Sequence, residues 1–531
     1  MTLTGHQLLG SRESAASSDT FVARNLAAGE DLSPAFHEAT EAEIDEAVKL
    51  ANDAFPVFRG LCPEARAEFL EAIAEEVLAL GDDLLERASA ETAHPLPRCA
   101  AERDRVLTHT RQFAAWIREG SWVDARIDTG NPERQPLPKP DVRSLLEPVG
   151  PVVVFGASNF PIAISVLGTD TISAFAAGCP VVVKAHPAHP GTCEIAARAI
   201  QRAAARSGVP DGFFSLVHGL SHETGTRLVQ HPGIAAAAFT GSLAGGRALF
   251  NAANSRPCPI PFYAEMGSIN PVFLLPGALK ARAEAIAQGF VGALTAGVGQ
   301  FCTNPGLVLG LEGEEWAQFR SIAAEKVAAF KPATMLHGGI HGAYSKGVAE
   351  RLQRSGLELV GQSASAASPE RGEAAAYLFS TSREGLLADP TLFDELFGPV
   401  STLVSCRSPG DFLEAAEKLE GSLSATIHGT EEDLSNHREL IELLRRKVGR
   451  LIFNGYPVGL EICHSIHHGG PYPATTHPHF TSIGTRAMHR FVRPVCYQDW
   501  PDSLLPSELQ NSNPRGVFRL LNGQHSREEV G

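Results

Sequence analysis

The sequence predicts an α/β protein with a doubly wound parallel sheet, on three observations. Short, wholly apolar, β-branched runs such as Val152–Phe155 are the texture of strands covered on both faces. Stretches with helical spacing alternate with those runs, which is how a parallel sheet is wound. A length of 531 residues exceeds the roughly 250–300 residues that one core sustains, so more than one domain is expected.

The first third reads as helix. Thr40 with Glu43 three later is a capping box, and Ile44, Ala47, Val48, Ala51 and Phe55 then keep to one helical face. A second helix starts at Pro63, with Phe69, Ile73, Val77 and Leu80 along one side. The segment Thr129 to Pro140, rich in Pro, Gly and charge, is a loop or boundary. From Pro151 the texture changes. Val152–Phe155 leads into Gly156-Ala157-Ser158-Asn159-Phe160-Pro161, and Val181–Lys184 precedes a helix from Gly191 to about Ser207. Phe213–Val217 and Ala236–Thr240 repeat the pattern, the latter entering the turn Gly241-Ser242.

Ligands of such sheets bind beyond the carboxyl ends of the strands, which places Asn159, Lys184 and Ser242 at the mouth of one crevice. The turn after the first strand is not Gly-x-Gly-x-x-Gly, so the standard dinucleotide fingerprint is missing. A second α/β region follows, with strands expected at Val272–Leu275, Leu307–Leu311, Leu423–His428 and Leu451–Asn454. Its helices fall near Lys280–Thr295, Trp316–Phe330 and Asp411–Leu419. Ala364–Glu373 reads as a surface loop. The polar tail after Trp500 is expected to be partly disordered or wrapped on a neighbour.

A net charge of −15 argues against a nucleic-acid partner, which wants a basic face. The start lacks a basic region before an apolar core, so no secretory signal is expected, and no apolar run is long enough to span a bilayer. Nine scattered cysteines with no Cys-x-x-Cys pair fit reduced thiols in a cytoplasm. They do not fit a disulfide framework or a zinc site. His464, His467, His468, His477 and His479 crowd one Gly/Pro-rich region; such histidines are expected to be solvated surface groups, and no metal is expected.

Most free cysteines are small inert core residues. Cys302 is set apart by its company. It lies in Gly299-Gln300-Phe301-Cys302-Thr303-Asn304, on backbone able to approach a ligand closely, and Tyr263-Ala264-Glu265-Met266-Gly267 supplies a carboxylate able to act as a base. Taken with Ser158-Asn159-Phe160-Pro161, Lys184 closing its strand, Phe239-Thr240-Gly241-Ser242, Glu395-Leu396-Phe397-Gly398-Pro399-Val400 and Asn454-Gly455, these segments resemble the aldehyde dehydrogenase superfamily from about Ala42 to about Pro494.

The resemblance implies a Rossmann-type cofactor domain, an α/β catalytic domain and a β-hairpin oligomerisation element. The corresponding bounds are 1–140 and 152–266 for cofactor binding, 267–470 for catalysis, 141–151 and 486–500 for oligomerisation, and 501–531 for the tail. It implies Cys302 as the nucleophile that forms a thiohemiacetal and then a thioester, with hydride passing to nicotinamide. Asn159 is implied as an oxyanion donor and Glu265 as the base that hydrolyses the thioester. On the cofactor side it implies Lys184 and His186 near the adenosine ribose, with Gly241 and Ser242 at the pyrophosphate. Phe155 closes the first strand beside them, and Glu395 and Phe397 lie at the nicotinamide ribose and ring.

Two departures bear on specificity. Where many NAD-dependent members carry Lys-Pro-Ser/Ala-Glu, this chain has Lys184-Ala185-His186-Pro187, so the ribose-binding acid is absent. Lys184, with His186 or His189, then favours a 2′-phosphate, and NADP is expected, with NAD also accepted. The second departure is Glu265-Met266-Gly267-Ser268-Ile269-Asn270-Pro271 in place of Glu-Leu-Gly-Gly-Lys-x-Pro.

Within the superfamily the nearer likeness is to 2-oxoglutarate semialdehyde (2,5-dioxovalerate) dehydrogenases. It rests on Val183–Thr192, Ala264–Pro271, Gly469–Thr476 and Arg493–Gln498. It implies an anionic aldehyde, and a pocket holding an arginine or several donors for its carboxylate. The same motifs occur in NADP-dependent fatty aldehyde dehydrogenases, and a thiol esterase or hydrolase is the non-redox alternative. A homodimer or homotetramer is implied, with Arg143–Leu146 and roughly Ala487–Tyr497 as the pairing segments.

Overall fold

The computed structural model describes residues 2–530. The expected capping box opens helix Glu41–Arg59: the Thr40 hydroxyl accepts from the Glu43 amide, and the Glu43 carboxylate accepts from the Thr40 amide at 2.8 Å. Pro63 stands at the first position of helix Pro63–Ala79, where its missing N–H costs no hydrogen bond. Helices Asp82–Thr92 and Leu96–Glu119 complete the layer.

Residues 2–40 are not helical. They form strands Gln7–Leu9, Arg12–Ser14, Thr20–Asn25 and Glu30–His37. Three-residue strands show no periodicity, and these are held by register with the larger sheet: Leu8 faces Leu216 antiparallel.

That sheet has the order Phe262–Glu265, Ala236–Thr240, Val152–Phe155, Val181–Lys184, Phe214–Val217, Gln7–Leu9, Arg12–Ser14. The first five strands are parallel. The valines of Val152–Phe155 are at most 1% exposed, and burying each contributes about 1.5–3 kcal/mol. The chain enters at Val152–Phe155, winds outward on one side, then returns to lay Ala236–Thr240 on the other. The switch point therefore lies between these two strands, where open α/β sheets hold ligands.

The second sheet runs Glu358–Gln362, Tyr377–Ser382, Val400–Cys406, Leu307–Leu311, Val272–Leu274, Ser422–His428, Val448–Phe453. All but its first strand are parallel. Strands Tyr377–Ser382 and Val400–Cys406 went unread because serine and threonine break their apolar runs.

A third sheet pairs Val492–Gln498 antiparallel with Val142–Pro148, which pairs with Arg126–Asp128. Here the expectation for the tail is corrected. It packs on its own chain: Leu505, Leu509 and Val517 are buried, and Arg519–Leu521 pairs parallel with Arg126–Asp128. The buried Arg519 guanidinium fastens the turn by donating to the Gln510 and Glu528 carbonyls.

The segment after Phe453 joins the edges of the two large sheets. On the second sheet, a Cβ on Gly449 would lie 2.1 Å from the Gly469 carbonyl oxygen, and one on Gly470 would lie 2.3 Å from that of Ser422. On the first sheet, the Met266 amide donates to the Ala474 carbonyl at 2.8 Å and the Thr476 amide to that of Ala264 at 3.1 Å. The motif Gly469–Thr476 is thus a bridge between the strand bearing Glu265 and the second sheet.

Candidate active site

Cys302 follows a tight turn. Helix Pro276–Thr295 ends and Gly297, Val298 and Gly299 all take left-handed backbone, with φ of 53°, 59° and 67°. Gly299 must be glycine, since a Cβ there would lie 2.3 Å from the Gly398 carbonyl carbon. Asn270, from the altered motif, holds the turn from below. Its amide nitrogen donates to the carbonyls of Cys302 at 2.9 Å and Asn304 at 3.0 Å, and its φ is 47°. The departure at Ser268-Ile269-Asn270 is therefore part of the support for the cysteine loop.

Glu265 ends strand Phe262–Glu265 and is buried. It and Cys302 meet at a third residue, His468. The His468 imidazole Nε2 lies 3.0 Å from Glu265 Oε1 and 3.5 Å from Cys302 Sγ. Ser482 Oγ donates to Glu265 Oε2 at 2.5 Å. The His468 backbone is fixed by the Thr481 hydroxyl, to which its amide donates at 2.8 Å, and by the Ser482 amide.

His468 is 2% exposed, which corrects the expectation that the histidines of this region are solvated. His464 and His479 are exposed as expected. No spacing in the sequence distinguishes the buried one; only the adjoining Gly469-Gly470, which demand close backbone approach, signal a packed turn. Among the described residues, Glu265, Cys302 and His468 also form one group whose carboxylate, thiol and imidazole donor atoms all lie within 4.8 Å of one another.

The electrostatics follow from burial. Burial, then the carboxylates of Glu265 and Glu395, push the Cys302 thiol well above its ordinary pKa, with Arg105 opposing them. Burial also raises the Glu265 carboxyl, but His468 and the Ser482 hydroxyl outweigh it and hold that carboxyl below its ordinary range. Glu395 is pushed up to about 8 by burial, with the Ser268 amide opposing and the Glu265 charge adding. Its Oε2 would lie 2.9 Å from a Cβ on Gly267, so the glycine after Glu265-Met266 leaves room for Glu395. Phe397 lies half-buried on the same segment.

Asn159 is buried in the loop after Val152–Phe155, and its Nδ2 donates to the Gln300 carbonyl at 3.2 Å, two residues from Cys302. Its own carbonyl accepts from His94 and from Arg98. A thiol, an imidazole and a carboxylate thus lie in one cluster, with the Asn159 amide bonded two residues from the thiol.

At the switch point Phe155 and Lys184 are register partners, and Gly241 and Ser242 follow Thr240. Lys184 Nζ donates to the Gly219 carbonyl, and burial draws its pKa down to about 8. Ser242 caps helix Leu243–Asn254, accepting from the Gly245 amide at 3.2 Å and leaving the exposed first-turn amides of Leu243 and Ala244 for an anion. A Cβ on Gly241 would lie 2.6 Å from the Phe239 ring. A cation, a helix start and a glycine turn at one switch point fit the chemistry of a dinucleotide.

His186 and His189 contribute differently from the expectation. Burial, with neighbouring His189, His337 and Lys184, holds the His186 imidazole well below 6.5, so it is neutral at pH 7. It stacks on His189 with centroids 5.2 Å apart. His189 is fully buried, its Nε2 2.9 Å from the Ala157 carbonyl and its Nδ1 3.3 Å from Cys193 Sγ. Burial opposes charge on His189, but Cys193, the Ala157 carbonyl and Glu91 outweigh it and raise its pKa to about 9.

The chain belongs to the aldehyde dehydrogenase family, whose model matches residues 14–471. It is an oxidoreductase acting on aldehydes, and the family uses NAD(P). It is 48% identical over 525 residues to alpha-ketoglutaric semialdehyde dehydrogenase 2 of Azospirillum brasilense, covering 99% of this chain and 100% of that one. It is 43% identical to alpha-ketoglutaric semialdehyde dehydrogenase of Acinetobacter baylyi, over 98% of each. Among solved structures, the NADP-dependent glyceraldehyde-3-phosphate dehydrogenase of Bacillus halodurans superposes with a TM-score of 0.79 at 18% identity, covering 94% and 99% of the two chains. The likeness to that structure is one of fold. No helix among the described residues is long and apolar enough to cross a membrane.

Proposed function

We propose that this enzyme oxidises 2,5-dioxopentanoate to 2-oxoglutarate, with Cys302 as nucleophile, Asn159 as oxyanion donor, and Glu265 with His468 as the proton-handling pair. The observation that carries it is the convergence of Cys302 Sγ and Glu265 Oε1 on one imidazole nitrogen, at 3.5 and 3.0 Å. The substrate rests on the two full-length relatives named for it.

Sulfur attacks the aldehyde carbon, the carbonyl electron pair moves to oxygen, and the S–H proton passes to the His468–Glu265 pair. A thiol held above its ordinary pKa needs such an acceptor beside it, because little thiolate exists at neutral pH. The oxyanion takes hydrogen bonds from Asn159 Nδ2 and the Cys302 amide, each worth about 10²–10³ in rate. A bound nicotinamide nucleotide supplies the hydride acceptor. Water then adds to the thioester carbon and passes a proton to the depressed carboxylate of Glu265, and the C–S bond breaks, returning the sulfur to Cys302 with the proton held by the His468–Glu265 pair.

Lys184, Ser242, Gly241 and Phe155 hold the nucleotide's adenosine and pyrophosphate end, and Glu395 and Phe397 its nicotinamide end. NADP is the preferred form. Position 187 is proline where an acid would repel a 2′-phosphate, and Lys184 stays largely protonated at pH 7. The chain works as a homodimer or homotetramer in the cytoplasm, paired through the outer edge of Val492–Gln498.

Nucleotide reduction followed by absorbance tests the reading. Cys302→Ser is expected to abolish it. Glu265→Gln is expected to give one fast equivalent per site and then stall, since thioester release is blocked. Full steady-state turnover in either variant refutes the assignment.

A further inference from the structure

The pocket beside Cys302 contains a cation that the chemistry so far leaves idle. Helix Leu96–Glu119 is zipped to the Asn159 loop by one face. Arg98 donates to the Asn159 carbonyl at 3.1 Å and lies 3.4 Å from Glu102, whose other oxygen accepts from the Ile162 and Ala163 amides. His109 Nε2 lies 3.1 Å from the Leu167 carbonyl. Arg105 sits between Glu102 and His109 on this helix, and it alone of the four is not engaged. Among the described residues it has no hydrogen bond or ion pair, and its Nη2 is buried without a partner. Its guanidinium lies 5.6 Å from the Phe160 ring centroid, next to Asn159. The acidic groups acting on it are Cys302, Glu102 and Glu265, and Arg98 acts on it as a like charge.

A buried guanidinium without a counter-ion is costly, and arginine does not shed its proton to escape. Glu102 is already shared: its Oε2 accepts from two amides and its Oε1 lies 3.4 Å from Arg98 without a hydrogen bond, and among the described residues no ion pair joins it to Arg105. Across the pocket, Arg450 gives a second cation near the thiol: its Nη2 donates to the Pro457 carbonyl at 2.8 Å and its Nε is buried without a partner. Two cations, Arg105 and Arg450, therefore act on the sulfur against the Glu265 and Glu395 carboxylates. A neutral alkanal has no use for this. A short aldehyde carrying a carboxylate at its far end supplies the missing counter-ion.

We propose that Arg105 is the receptor for the far carboxylate of the aldehyde substrate, the planar fork of the guanidinium pairing with both oxygens. The proposal rests on the substrate reading above and names the residue that enforces it.

The test compares kcat/KM for 2,5-dioxopentanoate with kcat/KM for pentanal in the wild type, Arg105→Gln and Arg105→Lys, alongside binding of 2-oxoglutarate to the nucleotide-free enzyme by calorimetry. Loss of a buried, charge-assisted pair is expected to lower the anion-to-alkanal ratio by about 10²–10³-fold in Arg105→Gln, with 2-oxoglutarate affinity falling alongside it. Arg105→Lys, which keeps the charge and loses the fork, should recover part of the ratio. An unchanged ratio in Arg105→Gln overturns the proposal, and so does an equal fall with both aldehydes, which marks a structural role. A wild type that prefers pentanal sinks the substrate reading itself, and is distinguished because it appears before any substitution is made.

Discussion

Replacing His468 by phenylalanine isolates the contribution of the imidazole, because a ring of similar size fills a site that is 2% exposed. In the native enzyme burial raises the Glu265 carboxyl, and His468 and Ser482 reverse that effect. Removing the 3.0 Å contact takes away one charge-assisted hydrogen bond, worth about 1.5–3 kcal/mol. The carboxyl's pKa therefore rises, since burial is left less opposed.

The sign is fixed by which form works. Glu265 acts as a carboxylate, so its activity is present above its pKa and lost as pH falls through it. With His468 gone the loss sets in at higher pH, and the acid limb of kcat/KM shifts upward. The assay is initial-rate kinetics across the acidic and neutral range, with a melting curve to confirm folding. His468→Gln, which returns an amide donor, should move the limb back part of the way. A His468→Phe enzyme with native kcat and an unmoved acid limb refutes the relay.

Other expectations follow from single contacts. Lys184→Ala should lower kcat/KM for NADP by at least about tenfold more than for NAD, through loss of a charge-assisted contact to the 2′-phosphate; a wild type with strong NAD preference would contradict the cofactor assignment. Asn270→Ala leaves the carbonyls of Ser268, Cys302 and Asn304 without their donor and puts alanine at a φ of 47°. At about 1–3 kcal/mol per stranded buried group, denaturant titration should show a loss of at least about 2 kcal/mol. Val495→Pro, on the strand whose outer edge is unpaired within the chain, should lower the mass measured by light scattering if that edge builds the oligomer. An unchanged mass removes this strand from the interface.

The parallel strands of both large sheets that are wholly apolar were legible because burial on both faces leaves only one kind of side chain possible. Val152–Phe155, Val181–Lys184, Ala236–Thr240 and Leu307–Leu311 fall where their composition puts them. The capping box at Thr40 was legible for a similar reason: its partners are three residues apart, and the hydrogen bonds close locally. Cys302 and Glu265 could be singled out as chemical types on glycine-containing turns, though nothing along the chain says that they share a pocket.

The seating of strand Gln7–Leu9 on the large sheet, the folded tail and His468 were decided only in three dimensions, because their partners are remote in the sequence. Leu8 is held by Leu216, Arg519–Leu521 by Arg126–Asp128, and His468 by a carboxylate 203 positions away. Sequence alone determined which surfaces had to be buried and which groups could react. The burial that raises the thiol's pKa, and the His468 and Ser482 contacts that hold the Glu265 carboxyl below its ordinary range, arise only in the folded molecule, as does the unpartnered guanidinium nitrogen of Arg105. Those properties depend on distance through the folded molecule and carry no local signature.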